Sequence, residues 1–225
     1  NLNQRCKLSY LLVALCLCSW LGLSQAQQGL PHEQIIRIAK PDAPQIELET
    51  TLYKPVGEGP FPLVLLNHGK SKGNPKLQLR YRPQSAIAYF LQRGYVVMMP
   101  MRQGFANSGG KFSYSKCEPG ANGLDQTQDI KTALDYATTQ PYIDKNNILL
   151  VGQSHGGLST LAAGTLNYPG VKGLINFAGG LREISCSTWE NTLVKAATVY
   201  GKSVKVPSLW FYGDNDSYFP PPLWH

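Results

Sequence analysis

The sequence contains few charged residues and no series of long apolar runs. Among its 225 residues, Asp, Glu, Lys and Arg make up 16% and hydrophobic residues make up 43%. This composition excludes an intrinsically disordered chain, which would be more polar, and it also excludes a protein with several membrane spans. A chain of this length buries one sizeable core, so we expect a single compact domain.

Motifs for nucleic-acid binding and for metal binding are also missing. No basic run is interleaved with aromatic residues, and neither a CxxC pair nor a spaced histidine pair occurs. The net charge of +7 is scattered along the chain, which is typical of a solvated basic surface. We therefore expect no nucleic-acid partner and no metal site.

The first 26 residues have the organisation of an export signal. Arg5 and Lys7 precede the apolar run Leu11–Leu23, and the small residues Ser24 and Ala26 follow it. This order predicts a signal peptide cleaved after Ala26, hence a secreted or periplasmic protein with no membrane contact after cleavage. Cleavage would lower the net charge to +5. The alternatives are a retained anchor, although the run is short for a membrane span, and a lipoprotein.

The five cysteines fall into two groups. Cys6, Cys16 and Cys18 lie within the predicted signal, and leucines precede the last two where lipidation would require small residues. Cys117 and Cys186 remain as a single pair in an oxidising compartment, so we predict a disulfide between them. Two buried free thiols are the alternative.

After the signal, residues 27–44 are polar and contain several prolines, so we expect a leader segment before a folded domain of residues 45–225. Within that domain, Ile46–Tyr53 alternates apolar and polar residues, as a half-exposed edge strand does. The long Gly- and Ser-rich stretch Gln103–Asn122 is expected to be a functional loop near the site.

Buried strands and helices alternate through the rest of the chain. Continuous apolar runs of strand length occupy Phe61–Asn67, Tyr95–Pro100, Ile148–Val151, Val171–Phe177 and Ser208–Tyr212. Helical patterns occupy Pro83–Arg93, Asp125–Thr138, Leu158–Leu166 and Trp189–Tyr200. This alternation predicts an α/β fold, with a mostly parallel sheet and helices on both of its faces.

One strand leads directly into a Gly-x-Ser-x-Gly motif. Gly152-Gln153-Ser154-His155-Gly156 stands between the strand Ile148–Val151 and a helix rich in small residues. A tight turn of this kind exposes the hydroxyl of its serine, so we predict Ser154 as a nucleophile. The alternative is a Gly-rich turn whose serine only caps the helix.

A serine nucleophile also needs hydrogen-bond donors for the oxyanion that forms during acyl transfer. We predict the backbone N–H of His155 as one donor and that of Lys70 as the other, with Gly69 allowing the backbone to approach the substrate. His68, beside a glycine at a strand end, is expected to be a structural residue that holds this loop. The His155 side chain should form a wall of the site.

The strand Ser208–Tyr212 is followed by Gly213-Asp214-Asn215-Asp216. With these motifs, residues 45–220 resemble the α/β-hydrolase superfamily, in particular its dienelactone hydrolase and prolyl-oligopeptidase-like branch. The resemblance implies that Asp216 is the triad acid, with Asp214 as the alternative. It also implies a mainly structural loop at Arg102 and a reaction without metal or organic cofactor. Dienelactone hydrolases use cysteine as the nucleophile, whereas position 154 is serine.

In such enzymes a histidine follows the acid, after one more helix and strand. Only nine residues follow Asp216, so we expect the fold to lack its last helix and strand and the catalytic histidine to lie beyond residue 225. His225 itself is the alternative base. We expect this chain alone to have little turnover.

The resemblance implies a serine hydrolase that cleaves carboxylic esters through an acyl-enzyme on Ser154. A secreted serine peptidase of the prolyl-oligopeptidase-like type is the alternative within the same class, and the substrate would be a small ester or a short peptide. A hydrolase fold that binds without catalysis is the alternative from another class.

Overall fold

The structure is a computed structural model that describes residues 33–183 and 185–224. The predicted signal peptide, residues 1–26, and His225 both lie outside these ranges. Within them, no helix is both long enough and apolar enough to cross a membrane.

A seven-stranded sheet forms the centre of the described chain. Its strands are β1 (Gln34–Lys40), β2 (Ala43–Tyr53), β3 (Phe61–Asn67), β4 (Val96–Pro100), β5 (Ile143–Gln153), β6 (Val171–Phe177) and β7 (Ser208–Phe211). Their spatial order is β1-β2-β4-β3-β5-β6-β7. The pairs β1–β2 and β2–β4 are antiparallel, whereas the other neighbouring pairs are parallel. The predicted mostly parallel sheet is confirmed.

Helices cover both faces of this sheet. They are α1 (Gln84–Leu91), α2 (Pro119–Thr138), α3 (His155–Gly164) and α4 (Trp189–Gly201). Side chains alternate between the two faces along each strand, so Leu63 and Leu65 of β3 join a core that includes residues of α2, α3 and α4. Val64 and Leu66 join a second core, with Ile87 of α1. The predicted α/β architecture is confirmed.

The folded part of the chain begins earlier than we expected. Residues 34–40, which we assigned to the leader, form β1 and pair with β2 at the edge of the sheet. Ile38 is buried in the core and Ile36 packs against it, which is the period of two that a strand requires. Ile35, directly before Ile36, lies on the exposed side and hides this alternation in the sequence.

The loop that we expected over Gln103–Asn122 is shorter than predicted, because α2 already begins at Pro119. Proline suits the first turn of a helix, where its missing N–H would have no partner.

Two further elements also begin earlier than predicted: β5 begins at Ile143 and α3 begins at His155. The helix α3 therefore starts directly after Ser154.

Strand β7 is apolar and yet exposed. We expected it to be covered on both faces, but Leu209, Trp210 and Phe211 are 59%, 43% and 49% exposed. The physical reason is that β7 is the last strand of the described sheet. Phe177 of β6 stacks on Phe211 and is also exposed.

The predicted disulfide is present in the structure. Cys117 and Cys186 are bonded, with their Cα atoms 5.6 Å apart. Cys117 lies just before α2 and Cys186 lies just before α4. The bond therefore ties together the starts of two helices that pack on the same face of the sheet.

Candidate active site

A cleft of about 620 Å³ opens at the carboxyl edge of the sheet. The strands β3 and β5 are neighbours, and the chain leaves β3 toward β4 on one side but leaves β5 toward β6 on the other, so the two connections diverge there. Such a point, where the strand order reverses, leaves a crevice that serves as the usual ligand site of α/β sheets. Ser154, Asp216, Lys70, Arg182 and Tyr218 are among the residues that line it.

Ser154 occupies the turn between β5 and α3 in a strained backbone conformation. Its φ is 55° and its ψ is −125°, in a region that residues with a side chain rarely adopt. Its N–H donates to the carbonyl of Phe177 at 2.9 Å, and its carbonyl accepts from the N–H of Gly180 at 3.1 Å. The backbone at the end of β6 therefore holds the serine in the conformation of a nucleophile turn.

The two glycines of the motif are required by close packing. A Cβ atom at Gly156 would collide with the backbone carbonyl of Asn67, at the end of β3. A Cβ atom at Gly152 would collide with the carbonyl of Gly156 itself. These contacts let α3 start against the neighbouring strand and point its N-terminus at the cleft.

The predicted oxyanion donors are both at the cleft. His155 is the first residue of α3, so its N–H has no intrahelical partner, and Lys70 follows the end of β3. Neither N–H has a hydrogen-bond partner among the residues that the structure describes. Gly69 packs against the serine turn, since a Cβ atom there would lie 3.3 Å from the Cβ of Ser154. Both donors are available to a developing oxyanion.

Of the two candidate acids, Asp216 lines the cleft and Asp214 does not. One carboxylate oxygen of Asp216 accepts from the N–H groups of Tyr218 at 2.8 Å and Phe219 at 3.0 Å. These bonds fix the carboxylate within the turn after β7. The cleft thus brings together Ser154, Asp216 and the two N–H donors.

The side chain of His155 points away from Ser154 into the interior. Its Nε2 lies 2.6 Å from Oδ1 of Asn122, and its Nδ1 lies 3.1 Å from Nη2 of Arg102. Because a guanidinium only donates, Nδ1 must accept and Nε2 must carry the proton that it donates to Asn122. The ring is therefore held in one neutral tautomer.

His68 is held in the same way, at the start of residues 68–70, which carry the Lys70 donor and are called the oxyanion loop here. Its Nε2 accepts from the backbone N–H of Arg102 at 3.0 Å, so its Nδ1 donates to the carbonyl of Gly69 at 2.8 Å. Burial lowers the pKa of His68 and that of His155 well below the usual value, and the charge of Arg102 lowers both further. Neither ring is placed to take a proton from Ser154.

Arg102 is fully buried and connects three parts of the site. Its Nε donates to Gln126 at 3.0 Å, and its Nη2 donates to the carbonyl of His68 at 2.7 Å as well as to His155. Burial lowers the pKa of Arg102 to about 9, although the nearby carboxylate of Asp129 raises it in part. The residue joins the loop after β4 to the oxyanion loop and to the serine turn.

The profile of the X-Pro dipeptidyl-peptidase (S15) family matches residues 42–217, which is most of the described chain. The chain belongs to this family. The match extends from β2 to the turn that carries Asp216, so it includes Ser154, Asp216 and the two oxyanion donors.

Solved structures share the fold of this S15-family chain. An acylaminoacyl peptidase of Pyrococcus horikoshii is 19% identical, with a TM-score of 0.59 over 82% of this chain and 32% of its own. A putative dienelactone hydrolase of Klebsiella pneumoniae is 17% identical, with a TM-score of 0.59 over 85% of this chain and 77% of its own. A Pyrococcus furiosus esterase is 16% identical, with a TM-score of 0.62 over 85% of this chain and 74% of its own.

The predicted membership of the α/β-hydrolase superfamily is confirmed by the family match and by these structures. Peptidases and esterases are thus among the proteins that share this fold. The chain spans about a third of the length of the acylaminoacyl peptidase that it matches.

Two cleft residues of this S15-family chain were not anticipated from the sequence. Arg182 follows β6 by a short turn, and Tyr218 follows Asp216 by two residues. The Gly179-Gly180 pair after an apolar strand marks a tight turn at the same edge of the sheet, and this signal could have drawn attention to Arg182.

Proposed function

We propose that this chain is the catalytic part of a serine hydrolase that cleaves carboxylic esters through an acyl-enzyme on Ser154. The main support is the position of Ser154, in a strained strand-to-helix turn at the wall of the cleft that Asp216 also lines. The free N–H groups of His155 and Lys70 border the same cleft.

The proposed reaction has two steps. The Oγ of Ser154 attacks the ester carbonyl while a histidine accepts its proton, and the oxyanion is stabilised by the N–H groups of His155 and Lys70. The ester C–O bond then breaks, and the alcohol leaves with that proton. Water, deprotonated by the same histidine, cleaves the acyl-serine and releases the carboxylic acid. Asp216 orients the histidine and stabilises its charged form.

We propose that the histidine lies beyond residue 225, in a segment that packs beside β7. The exposure of Leu209, Trp210 and Phe211 supports this location, because an apolar strand at this edge is stabilised when another element covers it. His68 and His155 are engaged elsewhere, as described above. His225 is the alternative base.

A peptidase with the same catalytic residues is the second candidate. The family whose profile matches is described as a dipeptidyl-peptidase, and one of the similar structures is an acylaminoacyl peptidase. The two candidates differ in the leaving group, an alcohol or an amine. Rates on an ester and on an amide of the same acyl group distinguish them.

We also propose that the protein is exported. The disulfide between Cys117 and Cys186 supports export, because such bonds persist in oxidising compartments and are rare in the cytosol. The test is the N-terminal sequence of the protein recovered from the culture medium or periplasm. We expect it to begin at Gln27, and an N-terminus that precedes the apolar run Leu11–Leu23 would contradict cleavage.

The catalytic proposal is tested by ester hydrolysis with two proteins. The full-length protein should hydrolyse a short-chain nitrophenyl ester, whereas the 225-residue chain should release little nitrophenol. Ser154→Ala should abolish turnover, while Ser203→Ala, a change outside the cleft, should retain it. Equal turnover by the Ser154→Ala variant would contradict the role of Ser154, and rapid turnover by the 225-residue chain would contradict the location of the base.

A further inference from the structure

One wall of the catalytic cleft carries an arginine held between two aromatic rings. The guanidinium of Arg182 lies 4.9 Å from the ring centre of Trp189 and 5.3 Å from that of Tyr218. Stacking of this kind restricts the guanidinium to one orientation without using its N–H donors. Arg182 is thus positioned in advance of any ligand.

The hydrogen-bonding capacity of Arg182 is largely unused. Its Nη1 makes two long contacts of 3.4 Å, to the carbonyls of Ser217 and Tyr218, and its buried Nε has no partner within the described residues. Because Nε is enclosed by the protein, an external acceptor would bond the outer nitrogens, and Nη2 has no hydrogen bond to a described residue. The group is therefore suited to receive an external acceptor.

The cleft around Arg182 carries an excess of positive charge. Lys70 and Lys72 line it as well, and none of the ion pairs within the described residues involves these three cations. The acidic residues of the lining are Asp216 and Glu183. The lining therefore carries three cations against two carboxylates, a net charge of +1.

Arg182 is also tied to the nucleophile through the backbone. The N–H of Gly180 donates to the carbonyl of Ser154 at 3.1 Å, and Arg182 lies only two residues further along. Both residues line the same cleft, so a group bound at Arg182 would occupy the cleft in which Ser154 attacks.

We propose that Arg182 binds a carboxylate carried by the substrate, so that the preferred substrates are anionic esters such as half-esters of dicarboxylic acids. The inference rests on the proposed ester hydrolysis at Ser154. A planar guanidinium can bond both oxygens of a carboxylate, and the two lysines attract the anion to the cleft. A substrate with an ammonium at this position would be repelled.

Two matched esters test this specificity in the full-length protein. Mono-nitrophenyl glutarate carries a carboxylate where nitrophenyl valerate carries a methyl group, so the two have equal carbon chains and differ only in that terminal group. We expect kcat/KM to be about tenfold to a hundredfold higher for the glutarate ester, after subtraction of its spontaneous hydrolysis. The preference should weaken as the salt concentration rises.

Variants of Arg182 test whether this residue is responsible for the preference for the glutarate ester. Arg182→Gln should bring the ratio of the two kcat/KM values close to one, and Arg182→Lys should retain part of it. Lys172→Gln, which removes a cation from the opposite end of β6, should leave the ratio unchanged. Circular dichroism of each variant identifies any that fails to fold.

Binding supplies a second readout that needs no turnover. Glutarate should bind the Ser154→Ala protein about tenfold more tightly than valerate, and Arg182→Gln should remove the difference. If Ser154-dependent hydrolysis is absent but glutarate still binds through Arg182, the proposed function is contradicted and the role of Arg182 is not. Ser154-dependent hydrolysis with no preference for the glutarate ester, together with equal binding of the two acids, would overturn the role of Arg182.

Discussion

Arg102 donates a hydrogen bond of 3.1 Å to Nδ1 of His155, the residue that directly follows the nucleophile candidate. The nitrogen of Arg102 that makes this bond, Nη2, also donates to the carbonyl of His68, in the oxyanion loop. One buried group thus holds the two loops whose N–H groups face the cleft. Networks of this kind position catalytic atoms through residues that never contact the substrate.

Replacement of Arg102 should destabilise the fold. Arg102→Met leaves the ring of His155 and the carbonyl of His68 as buried acceptors without a donor, and each such group costs about 1 to 3 kcal/mol. We expect the free energy of unfolding to fall by about 3 kcal/mol in urea titrations. Arg93→Met, at an exposed arginine, should cost less than about 1 kcal/mol. Equal losses in the two variants would contradict the structural role of Arg102.

The buried histidines should make stability depend on pH. The pKa of His155 and that of His68 are well below 6.5 in the folded chain, because burial disfavours the charged ring, whereas both rings titrate near 6.5 when unfolded. Below about pH 6.5 the unfolded state binds protons that the folded state does not. The free energy of unfolding therefore decreases as the pH is lowered.

The expected slope is about 1.4 kcal/mol per pH unit for each histidine that remains neutral in the folded state. Urea titrations between about pH 7 and pH 5 measure it. His155→Gln removes one of the two groups and should lower the slope by about that amount. A variant with the slope of the unaltered protein would show that His155 becomes protonated in the folded state.

Gly156, the glycine of the Gly-x-Ser-x-Gly motif that packs against the end of β3, should not tolerate a methyl group. Gly156→Ala would place Cβ against the carbonyl of Asn67, and backbone atoms on both sides leave little room to adjust. We expect a loss of several kcal/mol, about 3 or more, or failure to fold. Gly201→Ala in α4 meets no atom within 4 Å and should stabilise by up to about 1 kcal/mol. Similar effects of the two changes would contradict this packing.

Removal of the disulfide should lower stability without changing the fold. The bond closes a loop of 69 residues, which corresponds to about 4 kcal/mol on the chain-entropy account. Urea unfolding of Cys117→Ala/Cys186→Ala, compared with the oxidised protein, measures the loss. Addition of a reductant should affect the oxidised protein alone, and an equal effect on the double variant would point to another cause.

Much of the sheet could be predicted from the sequence, because buried parallel strands are continuous apolar runs. The bounds of β3 and β6 agree with the prediction at both ends. The strand β1 was missed, because Ile35 interrupts the alternation of an edge strand. The exposure of β7 was missed as well, because a sequence pattern does not reveal which strand lies at an edge.

In the candidate site, too, the parts encoded by a local pattern were predicted and the contacts between distant residues were not. Ser154 and the glycines around it form a local motif, so five consecutive residues and the flanking strand were enough to predict the turn. Asp216 came from a resemblance to a family. The contacts of Arg102 and Arg182 join residues that are distant in sequence, and no local pattern encodes such contacts.

The role of Ser154 as the nucleophile is the central claim, and covalent labelling tests that role directly. A fluorophosphonate probe should modify the full-length protein at a single peptide, and mass spectrometry should place the adduct on Ser154. Labelling should be lost in Ser154→Ala and retained in Ser203→Ala. An adduct on another residue, or hydrolysis of esters that survives in Ser154→Ala, would contradict the account.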